Sequence, residues 1–426
     1  MKKLLSITLI LSALVLTGCF KDDDAPLIIE TSSTTIINNE NPDGGGETCP
    51  VIAVTGEIAD GTVWTNDNIY QLNQKVVVPA GATLTINPGT IIKGSSGTGS
   101  LASALIVARD GTLNANGTAD EPIIFTSTQD NITCGQTAGT NLDQDDRGLW
   151  GGLIVLGNAP CSFSGDILEA QIEGIPADDS FGLYGGSVAN DSSGSMRYIS
   201  IRHGGALIGE GNEINGLTLG GVGSGTIIDN IEVVANVDDG IEFFGGTCDA
   251  SNLLVWAQGD DAIDIDQAYS GTIDNAVVVL GDISDHAFEI DGPEGTGSGL
   301  FTLRNATIIG NTTTANGEYA DYRSNAQGLT ENVYAYGFKD SSDVELDNDG
   351  VATNYNNGDL TFGPWEIVLP AGVTNVTEIF VNKAESVTVT GFGSTATAVT
   401  EGAQTIGAIT SNLSWTFSNV AGGLGF

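Results

Sequence analysis

Asp239-Gly240-Ile241-Glu242-Phe243, Asp261-Ala262-Ile263-Asp264-Ile265 and His286-Ala287-Phe288-Glu289-Ile290 are three copies of one pattern: polar, small, apolar, polar, apolar. An earlier copy is Asn215-Gly216-Leu217-Thr218-Leu219, and a later one lies in Asp343-Val344-Glu345-Leu346-Asp347. The apolar positions Leu217, Ile241, Ile263 and Phe288 recur at intervals of 24, 22 and 25 residues. Alternation of apolar and polar residues marks a strand with one buried face. Repetition at this interval means that one unit has been copied along the chain, each copy too small to bury its own apolar face.

A second series runs beside the first: Asp229-Asn230-Ile231, Ser251-Asn252-Leu253, Asp274-Asn275-Ala276, Arg304-Asn305-Ala306 and Glu331-Asn332-Val333. Its asparagines are 22, 23, 30 and 27 residues apart. Two short strands per turn, each in step with the next turn, make a solenoid whose turns hydrogen-bond along the axis. An asparagine at the same bend of every turn can bond the equivalent amide above and below it. The pattern resembles the asparagine ladder of pectate-lyase-like right-handed parallel β-helices, most strongly over residues 190–350. That resemblance implies an all-β chain, a single-stranded right-handed parallel β-helix with Asn230, Asn252, Asn275, Asn305 and Asn332 as its ladder. The expected helix spans 49–365. Residues 366–426 hold strand-like runs, Ser386–Thr390 and Leu413–Phe417, without the asparagine step, and are expected to cap the end.

Composition narrows the partners. The chain has 426 residues, 13 Lys+Arg against 54 Asp+Glu, and a net charge of -41. Such a surface repels phosphate and excludes a nucleic-acid partner. Two histidines are too few for a His-rich transition-metal site. Hydrophobic content of 40% excludes a disordered chain.

At the amino terminus, Met1-Lys2-Lys3 precedes an apolar run from Leu4 to Leu16. This reads as a secretory signal over 1–18. Leu16-Thr17-Gly18-Cys19 resembles the lipobox of bacterial lipoproteins, which implies a lipidated Cys19 and the membrane as a partner. Phe20-Lys21-Asp22-Asp23-Asp24 resembles the export signal of surface-exposed lipoproteins, which implies an outer-membrane protein facing the cell surface. Residues 19–48 then form a polar tether. Cys49, Cys134, Cys161 and Cys248 are even in number, and two disulfides are expected in one of three connectivities.

The residue between two inward apolar positions points outward. Thr218, Glu242, Asp264, Glu289 and Glu345 therefore form one outer column, with Asp321 joining it. Phe244, Asp266, Asp291 and Asp347 form a second, with Arg323 between Asp291 and Asp347. Carboxylates on neighbouring turns repel one another and call for a cation, and Ca²⁺ suits several oxygen ligands in flexible geometry. The expected Ca²⁺ ligands are Glu242, Asp264, Glu289 and Asp291. In the pectate lyases this fold resembles, such a face holds Ca²⁺ and an arginine acts as base, which would give Arg323 the catalytic role. Gly259-Asp260-Asp261 resembles a paired-acid motif of polygalacturonases. Two functions follow: binding of an extended polysaccharide along the sheet through Glu242, Asp264, Asp266, Glu289 and Asp291, or cleavage of an acidic glycan, by Ca²⁺-dependent lysis or by glycoside hydrolysis. A purely structural or adhesive role is the third. Trp256, Tyr269, Tyr334, Tyr336 and Phe338 are the aromatic candidates for stacking on sugars.

Overall fold

Each turn of the coil contributes one short strand and one bent strand. The computed structural model describes residues 49–175, 179–207, 214–314 and 316–426, with the backbone of 35–37. The segment 1–18, Cys19 and the remainder of the tether lie outside the described residues.

The short strands Leu153–Leu156, Leu217–Gly220, Ile241–Phe244, Ile263–Asp266, Phe288–Ile290, Ala320–Tyr322 and Val344–Leu346 pair in parallel, each with the next turn. Together they form one flat front sheet. Their inward residues stack in register: Leu217, Ile241, Ile263, Phe288 behind one position and Leu219, Phe243, Ile265, Ile290 behind the next. All eight are at most 1% exposed. Burying each such side chain contributes about 1.5–3 kcal/mol, which no single turn could collect alone. The architecture is the expected parallel β-helix.

The bent strands are Gly194–Arg202, Ile227–Val234, Ala250–Trp256, Thr272–Val279, Phe301–Ile309 and Gly328–Tyr336. Asn230, Asn252, Asn275, Asn305 and Asn332 sit at their bends with φ between 55° and 66°. This left-handed region costs most residues about 1–2 kcal/mol, while Asn tolerates it. Tyr198 occupies the same bend one turn earlier, with φ 50°. The side chains do not form one unbroken ladder. Asn275 donates to Asn252 at 2.7 Å and Asn332 to Asn305 at 3.1 Å. Asn252 and Asn305 instead donate to Asp229 and Asp274, each at 2.7 Å. An aspartate just before the bend thus offers an acceptor oxygen in competition with the asparagine beside it.

The carboxyl-terminal region, expected to hold β turns and a cap, begins with further turns of the coil. Strands Trp365–Ile367, Phe380–Asn382 and Ala396–Ala398 continue the coil in parallel register. The chain then turns back and runs down the outside of the bent strands. Thr405 binds Glu366 through its amide (2.5 Å) and its hydroxyl (2.6 Å). Ala408 N donates to Thr307 Oγ1 (2.9 Å), Ile409 N to Asn275 Oδ1 (2.5 Å) and Asn412 Nδ2 to Asn252 Oδ1 (2.9 Å). Phe417 N and Ser418 N end on Glu232, at 3.0 and 2.8 Å. The run Leu413–Phe417 is no strand, because Thr416 caps the short helix Phe417–Val420 through Asn419 N. Ser386–Thr390 is likewise irregular.

Cys49 and Cys134 form a disulfide with a Cα–Cα distance of 5.8 Å. The second expected disulfide is absent, and Cys161 and Cys248 are free. Cys161 lies against the Phe244 carbonyl, while Cys248 is part of the solenoid core. The membrane partner expected through a lipidated cysteine does not stand: the first cysteine of the main described segment, Cys49, is committed to Cys134 and has no thiol to carry a lipid. Cys19 itself is outside the described residues.

Candidate binding face

The outer surface of the front sheet carries three polar columns in register. The centre column is Thr218, Glu242, Asp264, Glu289, Asp321 and Glu345. Two residues further along each turn stand Phe244, Asp266, Asp291, Arg323, Asp347 and Lys383, whose backbones follow one another by hydrogen bonds from turn to turn. On the other side, at the bend entering each strand, stand Asn215, Asp239, Asp261, His286 and Glu318. Strand alternation places all three columns on one face.

The centre acids point away from the apolar core but are not open to water. Glu242, Asp264, Glu289, Asp321 and Glu345 are 6–9% exposed. Close packing of the columns, and a loop folded over one end, account for this. Burial and the neighbouring Asp264 carboxyl push Glu242 well above the usual carboxylate range. Burial does the same to Asp264, with Asp239 adding to it. Asp239 is raised by burial and by Asp261. Oxygens of Asp239, Glu242 and Asp264 lie within 4.8 Å of one another. Asn215 donates to Glu242, yet Asp264 Oδ1 has no hydrogen-bond partner among the described residues. A buried carboxyl oxygen without a partner, beside two more carboxyls, is a donor set for a metal ion or for ligand hydroxyls.

Among the described residues of these three columns, cations stand only on the later turns. Arg323 bonds Glu289 through Nη2 and Asp291 through Nε (3.2 Å). It does not bridge to Asp347 as the column alone suggested, because the Glu289 carboxylate is nearer its guanidinium. Lys383 pairs with Glu345 and approaches Asp343 at 3.6 Å. His286 Nδ1 meets Asp261 Oδ1 at 2.8 Å, and Glu289 Oε2 is 3.7 Å from the same nitrogen. Burial alone would lower the His286 pKa, but the hydrogen bond and charge of Asp261 raise it to about 9. Asp261, His286 and Glu289 form a second close group, and Glu318, Asp343 and Glu345 a third.

The expected site residues thus share one face but divide among different groups. Glu242 and Asp264 come together with Asp239. Glu289 and Asp291 are taken up by Arg323 and His286, so the four expected Ca²⁺ ligands are not one donor set. Asp260 and Asp261 do not act as a pair: Asp261 binds the His286 amide and ring, while Asp260 is exposed. The aromatic candidates are elsewhere. Tyr269 is in the core, Phe338 stacks on Tyr319, Trp256 lies under the returning tail, and Tyr334 stacks with Tyr336. Glu173 and Lys383 belong to the face although nothing in the repeat announced them, while Asn215 opens a copy of the repeat and joins the face through Glu242. Glu173 sits on a loop, and Lys383 follows a turn without an asparagine. His286 opens a copy of the repeat at the bend, and its position against Glu289 is what adds it to the site.

A family model described as a pectate-lyase-like β-helix domain matches residues 56–418. A comparison with curated proteins found no match. Among solved structures, the chain is similar to the pectin methylesterase from Aspergillus niger, at 13% identity and a TM-score of 0.29, over 83% of this chain and 88% of that one.

Proposed function

Since the chain belongs to the family of pectate-lyase-like β-helix domains, we propose that it binds an extended polysaccharide along the front sheet. The observation that carries this is the three-column face, polar in all three columns from the turn of Asp264, with Asp264 Oδ1 and Asp321 Oδ1 buried and without hydrogen-bond partners among the described residues. Buried acceptors of this kind are costly unless a ligand supplies donors. Sugar hydroxyls are donors at regular spacing. Strands spaced about 4.8 Å apart present matching acceptors over several turns.

Asp239, Glu242 and Asp264 would hold a divalent cation, and Ca²⁺ fits best. Three carboxylates satisfy part of its six to eight oxygen ligands and leave the remainder to water or hydroxyls. Bound there, the ion would supply charge that offsets the carboxylate repulsion. Glu173 and Asn215 would orient Glu242 from the rim, and Arg323 would hold Glu289 and Asp291 in place.

A glycan array and affinity electrophoresis with polygalacturonate, alginate, xylan and glucan test the reading. Wild-type protein should bind at least one polymer, and Asp264→Asn should weaken binding at least tenfold without loss of folding. Failure to bind any of the polymers leaves a structural or adhesive role. The lyase reading predicts ultraviolet-absorbing unsaturated products from an acidic glycan, lost in Arg323→Ala. The Arg323 guanidinium is already engaged by Glu289 and Asp291, which disfavours a role on the substrate.

A further inference from the structure

The polar face is shut at one end. In the centre column Val77, Ile106 and Ile154 precede Thr218 in register. The outward positions therefore change from apolar to polar at a single turn. A loop following Leu153–Leu156 covers the apolar part: Phe163, Ile172 and Tyr184 cluster with Ile106, Ile154 and Phe244. Tyr184 lies on Gly220, where an added Cβ would meet its ring at 3.0 Å.

The loop is tied down over the later turns. Tyr184 donates its hydroxyl to Gln267 at 2.7 Å, and Gln267 donates to Glu294 at 2.9 Å. Glu294 N donates to Ser162 O at 3.1 Å, and Thr296 N to Asp166 at 2.7 Å. Glu173, from the same loop, accepts from Asn215 at 3.2 Å on the rim. At the far end the face is open: the Arg323 and Lys383 side chains are 39% and 42% exposed.

We infer that the face takes the end of a glycan chain and not its middle, with the terminal sugar stopped over Glu242 and Asp264. This rests on the polysaccharide reading above. A chain running along the columns meets Tyr184 and Ile172 at the turn of Thr218 and has no path beyond. A terminal sugar also carries a free hydroxyl where an internal one has spent it on a glycosidic link. Asp264 Oδ1, in a residue only 9% exposed and without a partner, is placed to accept that hydroxyl directly or through a bound cation. Arg323 and Lys383 are already paired with carboxylates, so acids prevail along the whole face and its sugars are neutral or bridged by a cation.

The test is the stoichiometry of the full chain on galacturonate, mannuronate and β-1,4-glucose series, from trimer to polymer, by calorimetry and light scattering in buffer with Ca²⁺. The expected result is one protein per glycan chain at every length, with affinity per chain levelling off once the oligomer covers the face. Several proteins per polymer, in number rising with its length, would overturn end binding and leave the polysaccharide reading standing. Absence of binding in all three series would overturn both.

Discussion

Asn275 shows what one residue contributes. It holds a left-handed bend, donates to Asn252 and accepts from Ile409 of the returning tail. Replacement by Ala should cost about 2–4 kcal/mol, combining the backbone penalty with two lost hydrogen bonds. Asn275→Gly should recover the backbone part, about 1–2 kcal/mol, and leave the rest. Urea denaturation of both variants separates the two contributions. Asp264 makes the opposite case. With carboxyl oxygens within 4.8 Å, two unit charges at an effective dielectric of about 20 repel by about 3.5 kcal/mol. Millimolar Ca²⁺ should raise the melting temperature more than Mg²⁺ or NaCl at matched ionic strength. Asp264→Asn should remove that specific rise and increase stability in chelator. Equal effects of the three salts would mean the acids are merely screened. The asparagine step was legible because a left-handed bend admits few residue types, so it repeats visibly. The partner of each amide was not, since the aspartate before the bend and the asparagine at it both offer an acceptor oxygen, and only the folded coil decides which is reached.

Among the elements, the front sheet was readable and the tail was not. Strict alternation fixes which side chains leave the coil, so the columns of Glu242 and Asp266 could be placed by counting. The tail has no periodicity of its own; its place depends on Glu232, Asn252, Asn275 and Thr307, which look like ordinary strand residues. The loop over the front sheet was hidden for the same reason: Tyr184 and Glu173 find their partners only in the folded coil. Glu232 is fully buried and accepts from two amides and the Ser418 hydroxyl. Buried Arg202 packs on the Phe417 ring at 4.3 Å, and the Glu232 charge acts on it. Glu232→Ala strips a buried cation of its counter-charge and leaves helix-terminal amides unpaired. A loss of about 3–5 kcal/mol is expected, together with new chymotrypsin cleavage near Leu413–Phe417.

Over the whole molecule, the acids bias stability toward low pH. Burial raises Asp266, Asp321 and Glu318 to about 7, and Asp260 and Asp291 to about 6. Unfolded carboxyls titrate near pH 4. Between these limits the folded chain holds more protons than the unfolded one. Stability is then full below about pH 4 as far as these groups are concerned and falls as pH rises through about 7. His286, raised to about 9, adds a loss in the same direction at higher pH. Urea midpoints in chelator should decline from about pH 4.5 to about 7.5, and Ca²⁺ should flatten the decline. A midpoint that climbs with pH would mean that the acids are ionised and paired in the fold.

The tail that descends from Glu366 to Glu232 changes what kind of object the coil is. A stack of turns touching only their neighbours melts piecemeal, from its ends inward. Here one segment clasps turns whose residues entered the chain almost two hundred positions earlier. It acts as a tie rod, so that no intermediate turn can loosen without straining the rest. During synthesis the coil can accumulate turn by turn, but it is clamped only when residues 405–418 emerge. The chain cut after residue 398 should therefore unfold in a broad, multi-step calorimetric transition, and the full chain in a narrower one.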